Sequence, residues 1–331
     1  MKWNVSDKAS KLHDDALIWD NHACLTLDLD DHYLPQLKRF KDSGVDMVVL
    51  NVGFDLYPWE RTVLRIAHLR RWLLAQSGLY RLIESVEDIW QAKRDNKLAV
   101  AFDIEGFVAV EEHISLIQFF YDLGVRWMLI AYNINNEAGG GVHDDDSGLT
   151  DFGRGVLDEM ARVGMIACCS HTGPRTAMEV FEYSDNPVIL SHSNPKALKD
   201  HPRNVSDELM QACAATGGVV GINGVGIFLD DVETKTESLL QHIDYAVELI
   251  GAEHVGIGLD YTVDPSVCDL DLTELSRAYP PENEYEDGVT LVKPEQLPEL
   301  TERLLGLGYN EQDIRAVLGE NWVRVAERVW K

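Results

Sequence analysis

Five side chains that commonly bind metal ions stand at the ends of short apolar segments that lie far apart in the sequence. They are His22, Glu105, His171, His192 and Asp260. Neutral imidazole and carboxylate are ordinary ligands of Zn²⁺ and of similar borderline cations. One histidine after an apolar segment is usually an ordinary polar residue, but several such residues at equivalent positions are hard to attribute to chance. The set predicts a divalent metal site, provided that the fold gathers these segments.

The predicted chemistry of this set is hydrolysis of an amide bond. Two cations repel each other unless an anion lies between them, and Glu105 has two carboxylate oxygens that can bridge a pair. Water held by such ions is partly ionised near neutral pH and attacks an amide carbonyl that the metal polarises. Metal-bound hydroxide is therefore the expected nucleophile, and Asp260 is the expected proton acceptor and later donor.

The segments that end in these residues alternate with longer amphipathic stretches, which is the pattern of parallel βα units. Eight segments have the length and composition of strands, namely 16–22, 45–51, 98–105, 126–133, 165–171, 187–192, 218–223 and 255–260. Helices are expected between them, including 85–96, 113–124, 151–164, 206–217 and 238–251. Because barrel enzymes place active-site residues at the C-terminal ends of their strands, we predict an α/β fold of the (β/α)8 TIM barrel type.

We expect this barrel to occupy residues 1–331 as a single domain, since α/β barrels with insertions routinely reach this length. Loop insertions are predicted near 52–80, 134–150 and 264–300, and closing helices over 301–330. The 134–150 segment is rich in Gly and Asp, which favours a mobile loop.

The chain is strongly acidic, with 56 Asp and Glu against 29 Lys and Arg and a formal net charge of −27. This charge repels phosphate backbones and anionic membrane surfaces, so we expect neither nucleic acid nor a membrane as a partner. No segment approaches the ~18 apolar residues of a membrane span, and the first residues lack the pattern of a secretory signal. A soluble, cytoplasmic protein is expected. The five cysteines form no CxxC pair and are expected as reduced thiols.

Arg203 is the main candidate for binding a substrate. It follows His192 by eleven residues, on the loop after the sixth predicted strand, where its guanidinium can hold a carboxylate in a bidentate fork. A structural salt bridge is equally compatible with the spacing. Tyr132 and Asn133, at the end of the fourth predicted strand, are further substrate-binding candidates. We therefore expect a small-molecule substrate with a free carboxylate.

The chain resembles the renal (membrane) dipeptidase family of the amidohydrolase superfamily nearly end to end. The motifs that carry the resemblance are the Asp-x-His of strand one (Asp20, His22), DIEG with Glu105, YNINN (132–136), GLTDFGRGVLDEMARVGM (148–165), SHTG with His171, SHSNPKALKDHPRN with His192 and Arg203, GIGLD with Asp260, and GENWVRV (319–325). Together they are far more specific than any single motif.

This resemblance implies a binuclear zinc barrel, usually dimeric, that hydrolyses dipeptides, including dipeptides with a D-residue at the C-terminal position. The roles that it implies are first-metal ligands His22 and Asp260, second-metal ligands His171 and His192, a bridging Glu105, and Arg203 as the group that holds the substrate's terminal carboxylate. A homodimer is therefore expected.

The sequence departs from the family pattern at three positions. Cys24 stands where the strand-one motif His-x-Asp has its carboxylate; a thiolate adds the same charge through a longer, softer bond to zinc, and the alternative is a weakened or empty first site. Tyr132 replaces a histidine that helps to polarise the scissile carbonyl, and a phenol donates a hydrogen bond without becoming cationic near neutral pH. Phe228 takes the place of a tyrosine whose hydroxyl is offered to the substrate.

Three hypotheses remain open at this point. The leading one is a zinc-dependent hydrolase of dipeptides or related small N-acyl amino acids, with one or two zinc ions and two favoured. In the second, Cys24 and Tyr132 mark a divergent amidohydrolase that acts on another C–N bond. In the third, the barrel is non-catalytic and binds a metal or a small molecule. Metal analysis of the purified protein separates the third from the first two.

Overall fold

The structure is a computed structural model that describes residues 3–25, 32–107, 109–110, 113–263, 276–280, 283–285 and 289–331. Within these ranges the strands are β1 (Trp19–Cys24), β2 (Met47–Phe54), β3 (Tyr80–Leu82), β4 (Leu98–Glu105), β5 (Val125–Leu129), β6 (Ile166–Cys168), β7 (Val220–Ile222), β8 (Val255–Ile257) and β9 (Tyr261–Thr262). The α-helices are α1 (Asp7–Asp15), α2 (Lys38–Asp42), α3 (Trp59–Ala75), α4 (Val86–Arg94), α5 (Leu116–Asp122), α6 (Asp151–Val163), α7 (Pro174–Tyr183), α8 (Asp207–Ala215), α9 (Gly226–Leu229), α10 (Thr236–Ile250), α11 (Leu297–Leu307), α12 (Glu311–Arg315) and α13 (Asn321–Val329).

The strands form one parallel sheet that closes on itself. Its order is β6-β5-β4-β2-β1-β8-β7, with β3 added beside β4 and β9 beside β1. Two single-residue bridges, Cys168 to Ile189 and Leu190 to Val220, join the two ends of this order. The closed parallel sheet and the helices that alternate with its strands confirm the predicted (β/α)8 barrel.

Successive strand residues pack on opposite faces of the sheet, as the two-residue period of a strand requires. In β2, Met47 and Val49 belong to a cluster with Trp127 inside the barrel. Val48 and Leu50 belong to the larger cluster that the surrounding helices cover. β2 is therefore apolar on both faces from Met47 to Leu50, and its polar side chain, Asn51, follows this stretch.

A bulge in β1 re-aims the residues that follow it. Between the pairs Asp20–Val48 and Ala23–Leu50, β1 contains one residue more than β2. Bulges of this kind occur next to active sites because they change which face a side chain occupies. Asp20 is held on the near side of this bulge, where its Oδ1 accepts a hydrogen bond from the backbone N–H of Leu259 (2.9 Å).

Local signals in the sequence account for several element boundaries. Ser85 caps α4 in a capping box with Asp88, and Ser206 caps α8 through the N–H of Leu209. The left-handed Gly164 ends α6.

One predicted strand differs from the structure, and one predicted insertion has regular structure. The 52–80 segment, predicted as an insertion, contains the end of β2, helix α3 and the first residue of β3, which lies beside β4 and outside the order of the barrel strands. The predicted strand 187–192 makes only the single-residue bridges of Ile189 and Leu190.

The remaining predicted segments are as follows. The 134–150 loop is tied to the start of α7, since Asp146 Oδ2 accepts hydrogen bonds from the N–H groups of Arg175 (2.7 Å) and Thr176 (3.0 Å). Of the predicted insertion 264–300, residues 264–275, 281–282 and 286–288 lie outside the described ranges, and α11 begins at Leu297.

Cys268 also lies outside the described ranges; the four described cysteines are free thiols. In the described part of the chain, no helix combines the length and the apolar character needed to span a bilayer.

Candidate metal centre

The candidate metal ligands lie together at the C-terminal mouth of the barrel. They are His22 and Cys24 in β1, Glu105 at the end of β4, and His171, His192 and Asp260 in turns that follow strand segments. The backbones of His171 and Asp260 are left-handed, with φ of 61° and 57°. Such φ values are uncommon outside glycine and concentrate at functional sites.

Three imidazoles converge on one carboxylate oxygen. Oε1 of Glu105 lies 3.5 Å from Nε2 of His22, 3.5 Å from Nε2 of His171 and 3.2 Å from Nε2 of His192. All four side chains are buried, and Oε1 has no hydrogen-bond partner among the described residues. The other oxygen, Oε2, accepts a hydrogen bond from Asn51 Nδ2 (3.2 Å). The carboxylate is thus fixed with one bare oxygen toward the three rings.

The other ring nitrogen of each of these three histidines, Nδ1, lies within hydrogen-bond distance of an oxygen atom. Nδ1 of His22 lies 3.1 Å from Asp103 Oδ2, Nδ1 of His171 lies 2.7 Å from Asn133 Oδ1, and Nδ1 of His192 lies 2.7 Å from Ser191 Oγ. A carboxylate and an amide oxygen only accept hydrogen bonds, so the first two Nδ1 atoms are the donors. In a neutral imidazole the Nε2 lone pair is then free, which is the form that binds metal ions.

A second group of potential ligands shares His22. Its Nε2 lies 3.4 Å from Asp260 Oδ1 and 3.7 Å from Cys24 Sγ. The ligand atoms of His22, Cys24 and Asp260 all lie within 4.8 Å of one another, as do those of His22, Glu105 and His192. Asp260 is oriented by Asn223, whose Nδ2 donates to its Oδ2 (3.0 Å).

Burial sets the protonation of these groups. It lowers the pKa of His171 and of His192 well below the usual value, so both rings are neutral. Burial also raises the pKa of Glu105 to about 8, because the carboxylate loses its hydration. For His22 burial opposes the charge, but Asp103 and Glu105 raise the pKa well above its usual value. A divalent cation next to Glu105 would lower the pKa of this carboxyl again, because its positive charge stabilises the ionised form.

The donor set fits a divalent metal ion. The unpartnered Oε1 of Glu105 faces three ring nitrogens, and two of these, Nε2 of His171 and Nε2 of His192, lie 2.8 Å from each other. A buried carboxylate oxygen without a hydrogen-bond partner is unfavourable unless a positive charge lies beside it. Imidazole, carboxylate and thiol are the donors that borderline cations such as Zn²⁺ select.

Arg203 lies beside this group and is fully buried. Its Nη2 donates to the carbonyl of His192 (2.8 Å) and its Nη1 to Ser193 Oγ (3.4 Å). Its guanidinium carbon lies 5.8 Å from the ring centre of Phe228. It forms no salt bridge with any carboxylate in the described ranges, so the structural salt bridge left open by the spacing is not found there.

A family model described as membrane dipeptidase (Peptidase family M19) matches residues 7–277. The chain belongs to the membrane dipeptidase family. This membership confirms the resemblance seen in the sequence motifs and places the chain among metal-dependent hydrolases.

Individual relatives agree with the family match. A protein of Klebsiella pneumoniae, described as an uncharacterized protein in the pqqA 5′ region, is 29% identical over 285 residues, which cover 81% of this chain and 95% of that protein. Dipeptidase 3 of Macaca fascicularis is 27% identical over 312 residues, which cover 91% of this chain but only 59% of that protein. The solved structure of an amidohydrolase from Pseudomonas aeruginosa has a TM-score of 0.87 at 29% identity and covers 97% of this chain and 99% of its own.

The three residues at which we expect departures from the family pattern lie in or beside this site. Cys24 is within reach of His22 and Asp260, as described above. The ring of Tyr132 stacks on His171, with centroids 4.2 Å apart and planes 25° apart, and its hydroxyl forms a short hydrogen bond with the hydroxyl of Tyr279. Phe228 packs against His201, with ring centroids 4.9 Å apart.

Several residues of the site have positions that the sequence did not reveal. Asp103 holds His22, and the only signal for it is that it lies two residues before Glu105 on the same strand and so on the same face. Asn133 contacts His171 and donates from Nδ2 to the carbonyl of Ala278 (2.9 Å), and its role in binding substrate stays a prediction. No pattern in the sequence indicated Ser191 or Tyr279.

Proposed function

We propose that this chain is a zinc-dependent hydrolase of dipeptides or related small N-acyl amino acids. The observation that carries the proposal is the convergence of three imidazole Nε2 atoms on the unpartnered Oε1 of Glu105. The buried guanidinium of Arg203 next to it supports a substrate that carries a carboxylate.

Two zinc ions are part of this proposal. The residues that would hold them are His22, Cys24 and Asp260 for the first, His171 and His192 for the second, and Glu105 between the two. When bound, such ions supply an activated water as the nucleophile and polarise the scissile carbonyl.

Asp260 is proposed to accept a proton from the attacking water and to return it to the leaving amine. Its Oδ2 is held by Asn223, which leaves Oδ1 on the side of His22. The side chain is 19% exposed, whereas that of Asp103 is fully buried, so Asp260 is the carboxylate that can exchange protons with solvent. A base in contact with the reacting group on one side and solvent on the other is suited to general acid–base catalysis.

Arg203 is proposed to bind the substrate's terminal carboxylate. Its Nη atoms donate to His192 and Ser193, but its buried Nε has no hydrogen-bond partner in the described part of the chain. A buried donor without a partner is costly, and a carboxylate ligand would satisfy it through a charge-assisted hydrogen bond.

The test is an assay of the zinc-loaded protein on a panel of dipeptides, with L- or D-residues at the C-terminal position, and of N-acyl amino acids. We expect release of free amino acid, loss of activity with a chelator and recovery with Zn²⁺. Glu105→Gln keeps the size of the side chain but removes the charge, and should lose both bound zinc and turnover. Glu159→Gln, which removes a carboxylate paired with Arg162 on the surface of α6, is the control. Full metal occupancy without turnover on any member of the panel contradicts the proposal.

A second candidate is an amidohydrolase that acts on another C–N bond. The observation that favours it is the presence of Cys24 and Tyr132 inside the site, at positions where the family has other side chains. Cys24→Asp combined with Tyr132→His should then create dipeptidase activity that the wild type lacks. A wild type that is fully active on dipeptides excludes this candidate.

The expected homodimer and cytoplasmic location rest on the family resemblance and on the sequence. Both stay predictions; light scattering measures the first and cell fractionation the second.

A further inference from the structure

Three buried serine hydroxyls link the candidate ligand His192 to Arg203. Ser191 Oγ lies 2.7 Å from His192 Nδ1 and donates to Ser170 Oγ (3.4 Å). Ser170 Oγ lies 3.0 Å from Ser193 Oγ, which accepts a hydrogen bond from Arg203 Nη1 (3.4 Å). The relative exposure of all three serines is 1% or less. This series of hydrogen bonds therefore runs from the candidate metal centre to the candidate carboxylate site without contact with solvent.

The direction of each hydrogen bond follows once His192 binds a cation through Nε2. The proton of the neutral ring is then on Nδ1 and is donated to Ser191 Oγ. Ser191 Oγ also accepts from the thiol of Cys168 (3.0 Å), so both of its acceptor positions are used and its own proton goes to Ser170.

The same count of donors and acceptors determines the directions of the hydrogen bonds at Ser170 and Ser193. Ser170 Oγ accepts from Ser191 and from the backbone N–H of His192 (3.1 Å), so its proton is donated to Ser193. Ser193 Oγ then accepts from both Ser170 and Arg203. Ser191 and Ser170 each use one donor and two acceptor positions, so the hydrogen bonds from His192 to Ser193 all point the same way. They meet, at Ser193 Oγ, the hydrogen bond that Arg203 donates from the other side.

We propose that Ser191, Ser170 and Ser193 are positioning residues, which hold the side chains of His192 and Arg203 in a fixed position relative to each other. This inference rests on the proposed function and adds to it that metal binding and carboxylate binding depend on one shared set of hydroxyls. The backbone reinforces it, because Arg203 Nη2 also donates to the carbonyl of His192 (2.8 Å).

Two binding measurements test the proposal on the full-length protein. Zinc affinity is measured by competition with a chelator, and carboxylate binding is measured by titration of the zinc-loaded protein with N-acetylglycine. N-acetylglycinamide, which lacks the carboxylate, is the reference ligand. Neither measurement requires turnover, so both remain decisive if the wild type hydrolyses no dipeptide, a result that would count against the proposed function alone.

Three substitutions interrupt the chain at different points. Ser191→Ala should weaken zinc binding by roughly 10–100-fold, the usual effect of losing a partner of a ligating histidine, and Ser191→Thr, which keeps a hydroxyl, should restore it. Ser193→Ala should weaken binding of N-acetylglycine about tenfold, with no effect on N-acetylglycinamide. Ser170→Ala removes the middle hydroxyl and should weaken both zinc and N-acetylglycine.

Ser43→Ala is the matched control. Ser43 is buried, and its Oγ donates to the carbonyl of Arg39 (2.7 Å), in the turn after α2. The control should lower the thermal midpoint of unfolding without changing either affinity. If Ser170→Ala behaves like Ser43→Ala, the proposal is overturned. If Ser170→Ala does not fold, the two end variants decide, and normal zinc affinity in Ser191→Ala or normal N-acetylglycine affinity in Ser193→Ala overturns it.

Discussion

The sulfur of Cys24 lies 3.7 Å from Nε2 of His22, the ring nitrogen that also lies 3.4 Å from Asp260 Oδ1. A nitrogen, a sulfur and an oxygen donor therefore face one another at the mouth of the barrel. If they bind one ion, its ligand set includes a thiolate, whose orbitals give optical transitions that carboxylates lack. An ion bound by His22, Cys24 and Asp260 can therefore be detected by its absorption spectrum, without an activity assay.

We predict that cobalt(II)-loaded protein shows a sulfur-to-cobalt charge-transfer band in the near ultraviolet. Cys24→Ala should lose the band and one equivalent of metal, because the ion loses a charged ligand and even loss of a hydrogen-bonding partner of a ligand costs roughly 10–100-fold in affinity. Cys213→Ala, which removes a buried thiol bonded to the carbonyl of Val188, is the control and should keep both. A band that persists in Cys24→Ala excludes this thiolate as a ligand.

Arg203→Lys should raise KM for a dipeptide with a free carboxylate by up to roughly 100-fold. A lysine keeps the charge but loses the planar fork, and a hydrogen bond between charged groups contributes about 1.5–3 kcal/mol. KM for the corresponding dipeptide amide should change little. Arg126→Lys is the control, since Arg126 is equally buried but donates to the carbonyls of Tyr121 and Ile83, and it should lower stability without changing KM. Equal effects on the free dipeptide and its amide would show that Arg203 does not bind the carboxylate.

The gathering of Glu105, His171 and His192 was accessible from the sequence for a simple reason. Each follows an apolar segment of strand length, and parallel strands of one barrel bring their C-terminal ends to the same mouth. The identity of the fold therefore determined which residues meet, even though the boundaries of the segment 187–192 differed from the strands that formed.

The contacts that orient these residues were not accessible in the same way. Ser191 supports His192 through a distance of 2.7 Å, and Asn133 supports His171 through an equal distance. Neither distance follows from strand periodicity, because each depends on a turn conformation; Asn133 itself has a left-handed φ of 61°. The bulge in β1 is a further case, since periodicity alone would place Asp20 and His22 on one face.

Tyr132→Phe should lower kcat by roughly 100-fold with a small change in KM, if the hydroxyl stabilises the developing oxyanion, as loss of one such donor typically does. Burial and the neighbouring Tyr279 raise the pKa of Tyr132 well above its usual value, so the phenol keeps its proton for this bond across the working pH range. Tyr279→Phe is the control, because it removes the hydroxyl that pairs with Tyr132 and leaves Tyr132 in place. Equal losses in the two variants would indicate that the hydrogen bond between the two hydroxyls carries the effect, and that Tyr132 donates no separate bond to the oxyanion.

His242 in α10 should make the fold sensitive to acid. It is buried, its Nδ1 has no hydrogen-bond partner among the described residues, and burial lowers its pKa from the usual 6.5 to about 4. Between these pH values the unfolded chain binds a proton that the folded chain does not, so the stabilisation from this neutral ring is present above pH 6.5 and is lost as the pH falls toward 4.

The free energy of unfolding should therefore fall less in His242→Leu than in the wild type when the pH is lowered from 7 to 5, by about 2 kcal/mol. Urea unfolding of both proteins at the two pH values measures this difference. The contribution of the metal centre to the pH dependence is the same in both proteins and drops out of the comparison. His113→Gln, at an exposed histidine, should retain the wild-type pH dependence. An equal loss of stability in His242→Leu and the wild type would mean that the ring of His242 is solvated, and can take up a proton, without unfolding of α10.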